Sequence, residues 1–264
     1  MKRSLGLLCW RGLIAALYAF LLAPLVVVLV VSFDTRPYLR FPPEHLSLGS
    51  YTAVLHNTAF LHAGLFSILV GGAAAAVSLA VGTGAAFALA DKAFPGRTAI
   101  QAMFFSPMVV PHIVLAVGLM MTLQPLGLLD TLSGLVIAHV GITLPYVVRI
   151  VLSGLKNLDP ACEEAARLHG ATPWQAFWRV TLPGLRTTLV AAGLIAFLFS
   201  FDEAVIVLFI AGHRATTLPL AIYHYIQFKT DPQVAALSVL VVMASMIPVV
   251  IIERGINIRR ALTG

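Results

Sequence analysis

Hydrophobic and polar positions alternate along this chain on the scale of whole segments. Residues 12–33, 46–90, 98–129, 131–148 and 233–252 contain no Asp, Glu, Lys or Arg. Most of these runs reach the roughly 18 to 20 residues that a helix needs to cross about 30 Å of hydrocarbon. Helices are the expected crossing elements, because lipid offers no partner to an unpaired backbone group. Set against the polar segments between them, the runs predict six spans, at about 10–32, 61–90, 98–122, 132–153, 186–211 and 233–253. The second span is dense in small residues (GGAAAAVSLAVGTGAAFALA from Gly71), which lets helix backbones approach closely. Pro107 and Pro111 each remove a backbone donor and should break or bend the third span near its start, and Pro145 should do the same in the fourth. Packing and a hinge both account for that pattern. The segment 34–60 holds Pro42 and Pro43 and then SLGSYTAVLHNTAF, which suits a short surface helix. After the fifth span, HRATTLPLAIYHYIQFKTDPQ is amphipathic and aromatic, fitting an interfacial belt or a gate.

Composition supports the same class. With 59% hydrophobic and 11% charged residues over 264 positions, the chain is far from a soluble globular balance. The net charge of +6 raises the question of nucleic acid, and its distribution answers it. Thirteen of the Lys and Arg residues fall on one side of the predicted spans and four (Arg36, Arg40, Arg214, Lys229) on the other. The positive-inside rule then puts both termini in the cytoplasm, and no nucleic-acid partner is called for. Lys2, Arg3 and Arg11 precede an apolar stretch that is too long for a signal peptide and has no small-x-small exit, so it reads as an uncleaved first span. Cys9 and Cys162 are far apart, with neither a disulfide framework nor zinc spacing. No metal and no cofactor are expected.

The polar segment 154–185, between spans four and five, is punctuated like a built structure. Asp159 and Pro160 form an N-cap and first-turn proline, Glu163 and Arg167 stand four apart, and Gly170 suits a left-handed C-terminal cap. Thr172, Pro173, Trp174 and Gln175 then make a T-x-x-Q capping box. Trp174, Phe177 and Trp178 share one side of this second helix, which Leu182 and Pro183 should close. Two short helices on a glycine elbow could dock on a partner through Glu164, Arg167 and the aromatic residues, or could simply cover helix ends.

Glu164, Ala165, Ala166, Gly170, Leu182 and Pro183 together resemble the EAA loop of the inner-membrane permease subunits of binding-protein-dependent ABC importers. The likeness extends to SPMVVPHIVLAVGL from Ser106, LPYVVRIVLSGLKNLDP from Leu144 and TTLPLAIYHYIQFKTDPQVAALS from Thr216, close to the whole chain. His169 departs from it, since many relatives have leucine there. The resemblance implies an all-α, six-helix type I importer permease fold, one permease domain over residues 1–264, in a bacterial inner membrane. It also implies that Glu164, Ala165, Ala166, Arg167, Gly170, Leu182 and Pro183 couple to a cytoplasmic ATP-binding subunit dimer. A second, non-identical permease subunit, an external solute-binding protein and membrane lipid complete the implied partners. No Gly-Lys pair occurs, hence no P-loop, so ATPase activity is expected on a separate subunit.

Within the fifth span, Asp202 and Glu203 interrupt FSFDEAVIVLFIAG. A carboxylate at the centre of a lipid-facing helix costs roughly 2.5 to 3.5 kcal/mol, so these two need a reason. A solvated helix end and an ion pair with Arg214 are the plain alternatives. The phrase SFDE resembles the spermidine and putrescine branch of the family, which implies a substrate path in which fixed negative charge favours a cationic amine. Ferric iron, an aminophosphonate or an opine are other cargoes of the same class. A membrane enzyme would need a nucleophile or metal constellation, and none is found: no catalytic residues are assigned and the eight histidines are scattered. An ion-coupled transporter would be expected to show an inverted repeat, which is not detected.

Overall fold

The computed structural model describes the backbone of residues 2–91 and 95–263, and side chains over 10–91, 95–250 and at 253. Lys92 and the side chains of Lys2, Arg3, Cys9, Arg254, Arg259 and Arg260, which entered the charge and cysteine arguments, lie outside the described residues. In chain order the helices are α1 (Lys2–Val31), α2 (Gly49–His56), α3 (Thr58–Ala90), α4 (Arg97–Phe105), α5 (His112–Leu123), α6 (Leu132–Lys156) and α7 (Pro160–Leu168). They continue as α8 (Pro173–Ala176), α9 (Leu182–Gly184), α10 (Arg186–Phe201), α11 (Val205–Ile210), α12 (Leu218–Phe228) and α13 (Pro232–Thr263). Among the described residues the β-structure is one isolated bridge between Asp34 and Leu46.

Trp10–Val31, Thr58–Ala90, Leu132–Lys156 and Pro232–Val250 are each long and apolar enough to cross a membrane. Two bent pairs, each counted as one span, raise the number to at most six among the described residues: Arg97–Met108 with His112–Leu123, bent by 104°, and Pro173–Gly184 with Arg186–Phe201, bent by 64°. The third predicted span is therefore not one rod. Pro107 has no N–H for the Met103 carbonyl, which instead accepts from Ser106 Oγ at 2.9 Å. A short 3-10 turn (Ser106–Met108) follows, and Pro111 at φ −55°, ψ 134° is extended and starts α5 afresh. Pro145 does not break its helix, and α6 runs on through it from Leu132 to Lys156. One missing donor is tolerated where neighbouring residues are packed: Thr143, Val147 and Val148 around it are fully buried.

The fifth span also differs from the single rod predicted over 186–211. α10 ends at Phe201, and α11 begins three residues later at Val205. The break falls on the two acidic residues.

The chain forms two compact units. In the first, residues 1–61 and 221–244, the segment after α1 is clasped by Asp34. Its carboxylate accepts from Arg36 Nε at 2.8 Å and Nη2 at 2.6 Å, and from the Thr35 N–H at 2.8 Å. The guanidinium beside it holds the Asp34 carboxyl below the usual carboxylate range. Leu39 N–H donates to the Thr230 carbonyl at 3.1 Å, and Tyr225 Oη donates to Asp231 at 2.8 Å. Burial, followed by that hydrogen bond, pushes the Tyr225 phenol up to about 12.

In the second unit, residues 62–220 and 245–264, α10 packs along α6 and α11 packs on α5. The α6–α10 seam is built from Val147, Val148, Val151, Ala192 and Ala196, all buried. It closes so tightly that a Cβ built on Gly154 would stand 2.5 Å from Thr188 Cγ2. A polar thread crosses the same core: Ser78 Oγ lies 2.7 Å from Thr143 Oγ1, Thr143 donates to the His139 carbonyl, and His139 Nδ1 meets Ser200 Oγ at 2.6 Å. Buried hydroxyls satisfied across helices in this way hold register without exposing a polar group to lipid.

Candidate functional site

Asp159 accepts from the Ala161 N–H at 3.0 Å and starts α7, as its sequence predicts. α7 ends in a Schellman arrangement: Gly170 N–H donates to Arg167 O at 2.9 Å and Ala171 N–H to Ala166 O at 3.1 Å. Gly170 sits at φ 86°, in the left-handed region. Thr172 and Gln175 then close a reciprocal capping box, with Gln175 N–H on Thr172 Oγ1 at 3.3 Å and Thr172 N–H on Gln175 Oε1 at 3.0 Å. The elbow expected from the sequence is present, with both caps.

Two details are new. The second helix contains a π segment, Phe177–Thr181, in which Leu182 N–H reaches back to the Phe177 carbonyl. Leu182 and Pro183 do not close the helix, which runs to Gly184. Proline is tolerated at the start of the short α9, and it is the Leu185 N–H that donates to the Thr181 and Leu182 carbonyls. The second detail is Glu163. Its Oε1 accepts from Arg167 Nη2 at 2.7 Å and its Oε2 from Thr181 Oγ1 at 2.9 Å, tying the two helices of the elbow together. Thr181 is buried, eighteen residues away along the chain, and nothing in the local spacing announces this contact.

The residues expected to couple to a partner fall on this elbow. Glu164, Ala165, Arg167, Gly170 and Pro183 are exposed, and Ala166 and Leu182 are half-buried. Trp174, Phe177 and Trp178 form a ring cluster with centroids 5.4 to 5.8 Å apart. Phe177 turns inward against Phe87 of α3 at 5.0 Å, whereas Trp174 and Trp178 stay 69% and 50% exposed. Leu168, at the end of α7, is 89% exposed, so both helices of the elbow leave large apolar side chains uncovered.

Asp202 and Glu203 have different surroundings. Asp202 is the C-cap residue of α10 and is exposed, and among the described residues its carboxylate has no partner. Glu203 is 6% exposed. Its Oε1 accepts from the Ile206 N–H at 2.9 Å, satisfying a free donor at the start of α11, and its Oε2 lies 3.0 Å from His112 Nδ1. This capping explains why the helix restarts after the acidic pair. The ion pair with Arg214 is not formed. The Arg214 N–H donates to Asp130 at 3.1 Å, alongside Gly212 and Ala215 N–H, both at 2.9 Å. Neither His112 nor Asp130 was marked by sequence reasoning. Asp130 stands alone between charge-free runs, and that isolation was the one available signal.

An all-helical architecture of up to six candidate spans, with a capped polar elbow leading into the fifth and two carboxylates at the break between α10 and α11, fits the membrane-spanning component of a solute transporter. Residues 78–260 match the family described as "Binding-protein-dependent transport system inner membrane component". The chain belongs to that family. It is 28% identical over 246 residues to the spermidine/putrescine transport system permease protein PotC of Escherichia coli, covering 93% of each chain. It is 30% identical over 247 residues to the putrescine transport system permease protein PotI of Escherichia coli, covering 89% of this chain and 86% of the relative. Its fold is similar to a chain of a bacterial ABC transporter involved in the import of the acidic polysaccharide alginate. There the TM-score is 0.69 at 19% identity, over 97% of this chain and 96% of that one.

Proposed function

We propose that this chain is the permease subunit through which an ATP-driven importer moves a small amine, spermidine or putrescine, across the bacterial inner membrane. The observation that carries the cargo is the exposed Asp202 carboxylate, without a partner among the described residues, at a break in the fifth span one residue from the buried Glu203. Fixed negative charge on a low-dielectric route lowers the barrier for a cation and raises it for an anion such as an aminophosphonate. The names of the two relatives point the same way.

In this reading residues 1–264 work as one permease domain with both termini in the cytoplasm, and 154–185 is the cytoplasmic coupling loop. Glu164, Ala165, Ala166, Arg167 and Gly170 meet a groove of a separate ATP-binding subunit, and Leu182 and Pro183 lead its motion back into α10. The partners are a dimer of that subunit, a second and non-identical permease, and an external solute-binding protein that delivers the amine. Exposed Leu168, Trp174 and Trp178 support a docked elbow, because such a surface is better covered than left in water.

The test is identification of the small molecule that co-purifies with the cognate binding protein, followed by uptake of that molecule into proteoliposomes containing the whole transporter. A polyamine is expected in the first step, and D202N should lower its uptake about tenfold while the subunits still assemble. A non-amine ligand, or unchanged uptake by D202N, would overturn the cargo assignment.

A further inference from the structure

Two of the spans are broken, and the two breaks meet. α5 begins at His112, directly after Pro111, and α11 begins directly after the Asp202–Ala204 break, with α5 and α11 packed on each other. At this junction the Glu203 carboxylate is almost fully enclosed, its side chain 5% exposed, while the His112 imidazole that contacts it remains 42% exposed. One carboxylate oxygen is taken by the Ile206 backbone, and the other is covered by the imidazole. Among the described residues no Lys or Arg lies within ion-pair distance of Glu203. The side-chain counter-group found among those residues is a histidine.

The choice of side chain matters physically. A buried carboxylate must be paired and hydrogen-bonded, and lysine or arginine would supply a permanent charge that repels any arriving cation. An imidazole can donate its Nδ1 proton to the carboxylate in either charge state, and when neutral it yields the position at small electrostatic cost. An ammonium group offers a stronger, charge-assisted hydrogen bond to the same oxygen. We propose that His112 is a specificity-determining residue that occupies the Glu203 carboxylate while the path is empty and is displaced from it by an ammonium group of the cargo. With His112 in place the junction offers one open carboxylate, Asp202. With His112 displaced it offers two, on adjacent residues. A monoamine is satisfied by Asp202 alone and leaves the imidazole where it is, whereas a diamine or longer polyamine has a second ammonium to take Glu203. This inference rests on the amine cargo proposed above.

The experiment is solid-state NMR of the whole transporter in lipid, with 15N-histidine incorporated and the His112 ring signal assigned by its loss in H112N. Putrescine, ethylamine and uncharged butane-1,4-diol are the probes. Putrescine should shift the His112 ring signal to that of an imidazole released from a carboxylate, and ethylamine and the diol should leave it in place. E203Q should show the released position without any probe and should abolish the response. In uptake, H112A should turn over several-fold more slowly, because nothing displaces the amine from Glu203 on its way out, and H112N should recover part of that loss. A His112 signal unmoved by putrescine, in a transporter that does import an amine, overturns the inference and leaves the cargo assignment standing. A transporter that imports no amine, with the His112 signal of the empty protein still dependent on Glu203, overturns the cargo and with it the displacement. If H112A does not assemble, the wild-type and E203Q spectra still decide.

Discussion

Gly170→Val tests whether the elbow's geometry, and not merely its composition, transmits work. A Cβ built on Gly170 meets nothing within 4 Å, so the substitution meets no clash with neighbours. Its whole cost is local. At φ 86° an L-residue brings its Cβ against backbone at roughly 1–2 kcal/mol, and a β-branched side chain belongs at the upper end of that range. The two hydrogen bonds that end α7, from Gly170 and Ala171, depend on the same conformation. Since 1.4 kcal/mol is about tenfold in population, the native elbow should become about tenfold or more scarcer relative to alternatives in which α7 and α8 splay. Asparagine tolerates the left-handed region far better, so G170N should retain most of the elbow. The assay is ATP hydrolysis and cargo uptake measured together in proteoliposomes, with co-purification of the ATP-binding subunit on tagged permease. G170V should lose coupled uptake about tenfold, with G170N close to the parent and thermal unfolding of the spans unchanged. Parental coupling in G170V would refute the reasoning, and so would an equal loss in G170N.

Three further outcomes are expected. Removing the tie between the elbow helices by T181V or E163Q should each weaken it by about 1 kcal/mol, below the roughly 1.5–3 kcal/mol of a hydrogen bond to a charged group because Glu163 is partly exposed; a double-mutant cycle on unfolding should show the two effects to be non-additive. Glu164 is exposed and among the described residues makes no side-chain hydrogen bond or ion pair, so E164K should leave folding untouched and uncouple hydrolysis from uptake, which the paired proteoliposome assay reads directly. Because the folded-state pKa of Asp34 is lowered, the stability gained from its clasp with Arg36 is present above the ordinary carboxylate range and is lost as pH falls through the lowered value. Acid titration of wild type against D34N, followed by proteolysis of the 34–47 segment, should show this difference vanish at the acid end.

How far the sequence could be read depended on whether a feature is local. The elbow was legible residue by residue, because Asp159, Gly170, Thr172 and Gln175 act within one turn of themselves. The break at Pro107 and Pro111 was legible for the same reason, since a missing N–H is a property of one residue. That α6 continues through Pro145 was not legible, because the tolerance of a proline depends on neighbours that the sequence does not bring into view. Asp202 and Glu203 were found as an anomaly of polarity, but their division into one open and one enclosed carboxylate rests on His112, ninety-one positions before Glu203. The Glu163–Thr181 and Asp130–Gly212 contacts were hidden in the same way, each joining residues that only the packing of helices makes neighbours.

The closeness of Gly154 to Thr188 has a mechanical consequence. The elbow is strung between the end of α6 and the start of α10, and those two helices touch with no room for a methyl group. Under the proposed coupling, this contact resists sliding of one support past the other when the elbow is pushed. In that coupling α6 and α10 tilt together, and the regular hydrogen bonding of α10 is first interrupted after Phe201, where the acidic pair sits.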